Sequence, residues 1–137
     1  MRQVLLRASR VVNRDIVDGL RARGYSKLRS THTTLLSNVD LAGTSVTVAA
    51  QRAGITKQAM GRLAAELEAA GYIAIRSDPK DGRASILRFT VSGRRLMQHS
   101  FELMAALERS YASKVGSRRF KTTMKGLATI VAALERT

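Results

Sequence analysis

The chain has 137 residues, no cysteine, one proline and an apolar fraction of 45%, so we expect a single globular domain with one core. Without cysteine it forms neither a disulfide framework nor a thiolate metal or redox site, which favours a reducing compartment. Lysine and arginine number 24 against 10 acidic residues, and the resulting charge of +14 favours a polyanionic partner, either nucleic acid or an anionic membrane surface.

Apolar residues at three- and four-residue steps predict an amphipathic first helix over residues 2–23. Charges at Arg7, Arg10 and Arg14 interrupt any apolar core for export, and no stretch approaches membrane-spanning length. We therefore expect a cytoplasmic protein with no membrane partner. The helix should close at Gly24 in a left-handed conformation, followed by a tyrosine, and the same Gly-Tyr pair recurs at residues 71–72.

The middle of the chain is typical of a helix-turn-helix. The elements predicted there are a short helix over Thr34–Val39, a turn over Asp40–Ser45, a helix over Val46–Ala53 and a longer helix over Lys57–Ala70. Gly54 should close the helix over Val46–Ala53, and Thr56 should cap the helix that begins at Lys57. The inward face of that second helix should carry Met60, Leu63, Ala64 and Leu67.

Alternating apolar residues then predict two strands, Tyr72–Arg76 and Ser85–Phe89, paired as an antiparallel hairpin. The loop between them, Ser77–Ala84, contains an Asp-Pro and an Asp-Gly pair, so we expect it to be long but locally ordered. Two long helical patterns follow, from Ser92 to about Val115 and over Ser117–Thr137.

A helix followed by a basic hairpin suggests contact with duplex DNA. The second helix of a helix-turn-helix enters the major groove with its N-terminal residues against base edges. Gln58 has the donor and acceptor that read adenine, Lys57 can reach guanine or phosphate, and Gly61 leaves room for close approach. The hairpin tip can bring Arg83 to the neighbouring minor groove, so the hairpin is interpreted as a wing.

These stretches resemble the MarR-type winged-helix regulators. The resemblance is carried by "GITKQAMGRLAAELEAAGYI" and by "DPKDGRASILRFTVSG". Family wings show Asp, any residue, Arg, five residues and Leu-Thr; Asp81, Arg83 and Thr90 agree here, while Phe89 replaces leucine. The resemblance implies a mainly α fold, a winged helix-turn-helix with a two-stranded β wing, flanked by N- and C-terminal dimerisation helices.

Residue by residue, the resemblance implies that Arg83 enters the minor groove, with Asp81 holding its guanidinium by a salt bridge. The full set of candidate DNA-binding residues is Thr56, Lys57, Gln58, Gly61, Arg62, Arg76, Lys80 and Arg83. Ser45 stands where many relatives have arginine, so the contact made by that arginine is not expected here.

We expect a single domain over 1–137, in which 34–91 is the winged helix-turn-helix and 1–33 with 92–137 form a helical dimerisation part. The helix from Ser92 to Val115 would be about 36 Å long, which exceeds the radius of a domain of this size and leaves an apolar stripe for a second copy to cover. In a homodimer, the second helix of each helix-turn-helix, here called the recognition helix, would lie roughly one DNA turn from its copy on an inverted-repeat operator. We expect a sequence-specific regulator, a repressor, modulated by a small ligand bound between the dimer base and the winged part.

Other classes of function make different demands. An enzyme requires a nucleophile with a base, a carboxylate pair or a metal cluster, and two histidines with ten scattered acids provide none, so we expect no enzyme, no cofactor and no metal. Two alternatives remain: a sequence-neutral nucleic-acid-binding protein and a winged-helix scaffold for protein interactions. The basic faces at Arg7 to Arg21 and at Arg118 to Lys125 serve either phosphate contact or solubility.

Overall fold

A computed structural model of the protein describes residues 1–136, which form six α-helices and a three-stranded antiparallel sheet. The elements are α1 (Arg2–Ala22), α2 (Thr33–Leu36), β1 (Thr44–Ser45), α3 (Val46–Ala53), α4 (Lys57–Ala69), β2 (Ile73–Ser77), β3 (Ser85–Phe89), α5 (Val91–Val115) and α6 (Ser117–Glu135). A 3-10 turn over Ser30–His32 precedes α2. This confirms the mainly α winged helix-turn-helix architecture.

The chain divides into two compact units, Met1–Phe101 and a second that begins at Glu102. The first unit contains the buried core, to which α1, the helix-turn-helix, the sheet and the start of α5 all contribute. Its largest fully buried side chains are Leu20, Leu28, Leu35, Met60, Leu67, Ile73, Leu87 and Leu96. Helix α4 and the hairpin of β2 and β3 are therefore built on one common core.

Three helix ends are closed by glycines with positive φ, as predicted: Gly24 at 106°, Gly54 at 67° and Gly71 at 89°. After the first and third, a tyrosine N–H turns back onto the helix, from Tyr25 to the carbonyl of Leu20 at 3.1 Å and from Tyr72 to the carbonyl of Leu67 at 3.0 Å. The two tyrosine rings meet edge to face with centroids 5.8 Å apart. The ends of α1 and α4 are thus brought together.

The sheet has one strand more than predicted. β2 and β3 pair antiparallel from Ile73 opposite Phe89 to Ser77 opposite Ser85, which confirms the hairpin. The two-residue strand β1 adds to the other side of β3, with Thr44 opposite Leu87, and gives the order β1-β3-β2. β2 is therefore an edge strand.

Helix α2 is shorter than the helix predicted over Thr34–Val39, since it begins at Thr33 and ends at Leu36. Polar side chains at its C-terminal end bond to helix carbonyls: the hydroxyl of Ser37 donates to the Thr33 carbonyl at 2.6 Å and the amide of Asn38 donates to the Thr34 carbonyl at 2.8 Å. The Thr33 carbonyl also accepts the Ser37 N–H at 3.0 Å, so the helical bond there is kept. The Asn38 N–H instead donates to the Leu35 carbonyl at 2.9 Å while the Asn38 side chain takes the Thr34 carbonyl, so the helix stops.

The second unit contains the end of α5 and the whole of α6. Gly116, with φ of 92°, separates the two helices. No residue of α6 is buried, and its exposed apolar residues include Met124, Ile130 and Val131. Thr137, the predicted end of this helix, lies outside the described residues.

Candidate nucleic-acid interface

The helix-turn-helix is ordered by two hydroxyl caps. The side chain of Ser45 accepts a hydrogen bond from the Val48 N–H at 3.1 Å, and that of Thr56 accepts one from the Ala59 N–H at 3.0 Å. Each cap satisfies a backbone donor that has no partner within its helix. The cap at Thr56 confirms the predicted start of α4, whereas the role of Ser45 as a cap was not predicted.

The N-terminal turn of α4 presents its polar side chains to solvent. Met60, Ala64 and Leu67 are buried and Leu63 is partly buried, so the opposite face of the helix packs on the core. Thr56, Lys57, Gln58 and Arg62 are exposed, and Gly61 is partly exposed. A groove-reading helix requires this division between a packed face and a polar face.

The wing loop is shaped by its two aspartates. A carboxylate oxygen of Asp78 accepts from the Lys80 N–H at 2.9 Å, and one of Asp81 accepts from the Arg83 N–H at 3.0 Å. Asp81 therefore supports the wing through the backbone of Arg83. The expected ion pair between the side chains of Asp81 and Arg83 is not formed, because the Asx turn directs the carboxylate to the main chain. Lys80 and Arg83 are both exposed.

Helix α4 and the wing face each other across one open groove with a volume of about 560 Å³. Its lining residues are Val46, Lys57, Gln58, Gly61, Ala64, Ile75, Arg83 and Ser85. Four predicted site residues, Lys57, Gln58, Gly61 and Arg83, are thereby brought together from positions far apart in the chain. The other four do not line the groove, and the guanidinium of Arg76 donates to the carbonyl of Ile75 at 3.1 Å.

A contact that the sequence did not reveal attaches α4 to the segment after α1. A carboxylate oxygen of Glu66 forms an ion pair with the guanidinium of Arg29 at 2.7 Å. The same oxygen lies 2.9 Å from Nε2 of the buried His32. The Nδ1 of His32 accepts from the Arg29 backbone N–H at 3.0 Å, so Nε2 carries the proton and donates to Glu66. The partners are more than thirty residues apart in the chain, and no local pattern links them.

We expect this cluster to make stability depend on pH. Hydrogen bonds from Arg29 and then from His32 hold the pKa of the Glu66 carboxyl below its usual range. A lowered folded-state pKa contributes stability above the ordinary glutamate pKa and loses it as pH falls through the folded value. In urea unfolding, Glu66→Gln should be less stable than the unmodified chain at pH 7, with the difference shrinking as the pH falls below the ordinary glutamate pKa. Glu108→Gln is the control; a pH-independent difference for Glu66→Gln would contradict the assignment.

Comparison with known proteins identifies the family. The chain is 30% identical over 101 residues to an uncharacterised protein of Mycobacterium tuberculosis, a match that covers 74% of this chain and 71% of that one. A model of the MarR family matches residues 26–84, from the segment after α1 through the wing loop. The chain belongs to the MarR family. Members of the MarR family are transcriptional regulators and not enzymes, so this protein is a regulator of the DNA-binding class.

Solved structures share the MarR fold over nearly the whole chain. The transcriptional regulator BldR from Sulfolobus solfataricus is 21% identical, with a TM-score of 0.75 over 96% of this chain and 91% of that one. A MarR-family regulator from Rhodococcus sp. RHA1 is 22% identical, with a TM-score of 0.74 over 93% and 89%. Within residues 1–136, no helix of this MarR-family protein is long and apolar enough to cross a membrane. In the same range, no group of three or more histidine, aspartate or glutamate side chains is arranged to hold a metal ion.

Proposed function

We propose that this MarR-family protein binds an inverted-repeat operator in double-stranded DNA as a homodimer and represses transcription in the cytoplasm under the control of a small ligand. In this proposal residues 34–91 bind the DNA, and the helices on either side of them provide the dimer interface. The observation that carries it is the groove, with Lys57, Gln58 and Gly61 on the α4 side and Arg83 on the wing side. The net charge of +14 supports a polyanionic partner.

The groove supports a duplex because its two sides match two neighbouring DNA grooves. α4 would enter the major groove, about 12 Å wide, and the wing would reach the adjacent minor groove, about 6 Å wide. The sugar-phosphate chain between those grooves would then run between α4 and the wing. In this arrangement Gln58 reads a base, Lys57 and Arg62 contact guanine or phosphate, and Arg83 enters the minor groove. Thr56, Arg76 and Lys80 would contact the sugar-phosphate backbone of the DNA at the edges of this interface.

Selection of bound sequences from random duplexes tests the specific function. A sequence-specific regulator should bind the selected duplex roughly 1,000-fold or more tightly than random competitor at physiological salt. Equal affinity for both would support the alternative of a sequence-neutral nucleic-acid-binding protein. If no duplex is bound, the remaining alternative is a winged-helix scaffold for protein interactions.

The substitution Gly61→Ala is expected to separate folding from DNA binding. A Cβ at this helical position meets no atom within 4 Å, so the free protein should gain up to about 1 kcal/mol of stability. In the complex the added methyl group would stand between α4 and the DNA, and affinity for the selected duplex should fall roughly tenfold. Thermal unfolding and fluorescence anisotropy measure the two effects.

The matched control for Gly61→Ala is Gly126→Ala in α6, where a Cβ also meets no atom within 4 Å. It should stabilise the protein to a similar extent and leave DNA affinity unchanged. Because α6 belongs to the proposed dimer interface, sedimentation should first give this variant the same mass as the unmodified chain. Undiminished affinity of the Gly61→Ala variant would mean that α4 does not approach DNA as proposed.

A homodimer is supported by apolar side chains that the outer helices leave exposed. α1 exposes Val4 and Leu6, by 69% and 47%, and α6 exposes Ile130 and Val131, by 47% and 44%. A second copy packed about a twofold axis would cover such stripes and space two recognition helices for an inverted repeat. Sedimentation at micromolar concentration should give twice the chain mass of 15.0 kDa, and a persistent monomer would contradict the dimer.

Repression is proposed because it is typical of the family, and ligand control because small effector ligands are compatible with membership of the MarR family. A ligand that binds the DNA-free state more tightly shifts the protein away from the operator. The resemblance to MarR-type regulators implies small aromatic or anionic ligands, so such compounds are the first to screen, by the fall in fluorescence anisotropy as the labelled selected duplex is released. A promoter fusion that becomes more active when the protein is deleted would support repression, and one that becomes less active would contradict it.

A further inference from the structure

A side-chain hydrogen bond links the edge strand β2 to helix α4. A carboxylate oxygen of Glu68, on α4, accepts the backbone N–H of Ile75 at 2.9 Å. β2 pairs with β3 on one side only, so the Ile75 N–H points away from the sheet and has no strand partner. Glu68 thus supplies the acceptor that a neighbouring strand would otherwise provide.

This hydrogen bond lies next to the groove. The side chain of Ile75 lines the groove together with Ala64 of α4 and Arg83 of the wing. β2 continues directly into the loop that presents Arg83, and the register of β2 with β3 holds both arms of the hairpin together. A shift of Ile75 relative to α4 would therefore move the wing relative to Lys57 and Gln58.

We propose that Glu68 is a positioning residue that sets the spacing between α4 and the wing, so that Arg83 and the start of α4 engage one duplex at the same time. The proposal rests on the proposed function. Glu68 does not line the groove, and it bears a negative charge that DNA would repel, so it acts through Ile75. Without this bond, the wing samples several distances from α4, and binding selects only the fraction with the correct spacing.

Two substitutions separate the hydrogen bond from the charge. Glu68→Gln removes the charge but keeps a side-chain oxygen that can accept the Ile75 N–H, whereas Glu68→Ala removes both. Loss of the charge reduces repulsion of DNA equally in the two variants. We expect Glu68→Ala to bind the selected duplex roughly three- to tenfold more weakly than Glu68→Gln in fluorescence anisotropy. Equal affinity of the two variants would overturn the proposal.

A double-mutant cycle distinguishes wing positioning from a general loss of structure. Arg83→Ala should cost affinity in the Glu68→Gln background, and at least threefold less in the Glu68→Ala background, because the wing is already misplaced there. Equal costs in both backgrounds would show that Glu68 does not act through the wing.

The hydrogen bond between Glu68 and the Ile75 N–H can be tested without DNA. Hydrogen exchange of the Ile75 amide, followed by NMR, should be at least tenfold faster in Glu68→Ala than in Glu68→Gln, while the Leu87 amide of the central strand changes little. Unchanged exchange at Ile75 would overturn the proposal. If exchange rises as expected but Arg83→Ala never affects affinity in any background, the proposed function fails and the attachment of β2 by Glu68 stands.

Discussion

Replacing Arg83 with alanine is expected to weaken binding to the selected duplex by roughly tenfold to a hundredfold. The guanidinium is exposed on the wing side of the groove, where it would enter a minor groove that concentrates negative potential. The substitution also removes one cation from each wing, so the slope of log affinity against log salt should decrease by about one for each wing. Fluorescence anisotropy over a range of salt concentrations measures both effects.

Lys80→Ala is the matched control, because it removes the same charge from the same exposed loop without removing a residue that lines the groove. Its salt slope should decrease by a similar amount while its affinity falls much less than that of Arg83→Ala. Should Arg83→Ala leave both affinity and slope unchanged, the minor-groove role is wrong.

The substitution Gly93→Ala is expected to destabilise the fold by about 3 kcal/mol. A Cβ at this position in α5 would overlap the carbonyl oxygen of Tyr72 and lie 3.2 Å from Cδ1 of Phe89. The Tyr72 carbonyl cannot easily move, since it accepts the Thr90 N–H at 3.1 Å, and the Thr90 hydroxyl donates to the Gly71 carbonyl at 2.6 Å. To make room for the Cβ, the backbone just after α4 and the start of α5 would have to move apart.

Urea unfolding of Gly93→Ala measures the loss, with Gly126→Ala as the control because a Cβ there meets open space. The control should be neutral or stabilising by up to about 1 kcal/mol. Equal stability of the two variants would show that α5 does not pack this closely on the backbone after α4.

Helix ends were predictable because their signals are local. A Gly-Tyr pair after an apolar helical pattern predicts a left-handed closure, and Gly24 and Gly71 both adopt it. The short strand β1 was not predicted, since two residues show no periodicity and their pairing partner Leu87 lies more than forty residues further along the chain. The end of α2 was missed because the Asn38 side chain takes the Thr34 carbonyl in place of the Asn38 N–H.

At the candidate interface too, local motifs were readable in the sequence and contacts between distant residues were not. Lys57 and Gln58 follow a capping threonine and Arg83 follows an Asp-Gly turn, so short motifs pointed to residues that the fold brings to one groove. Asp81 was predicted to hold the side chain of Arg83, but whether its carboxylate binds a side chain or the main chain depends on loop geometry, and here it accepts the Arg83 N–H. The roles of Glu66 and Glu68 depend on tertiary contacts with His32 and Ile75, for which a single sequence carries no signal.

Tethered DNA cleavage tests most directly whether α4 and the wing bind one duplex together. The chain has no cysteine, so Gly82→Cys in the wing loop and Ala65→Cys on the exposed face of α4 each create a unique site for an iron chelate that cleaves nearby DNA. We expect cuts from position 82 in the minor groove beside the segment cut from position 65, in both halves of the selected duplex, and none from Glu108→Cys. Cleavage from position 65 without cleavage from position 82, or from neither, would contradict a shared DNA-binding face.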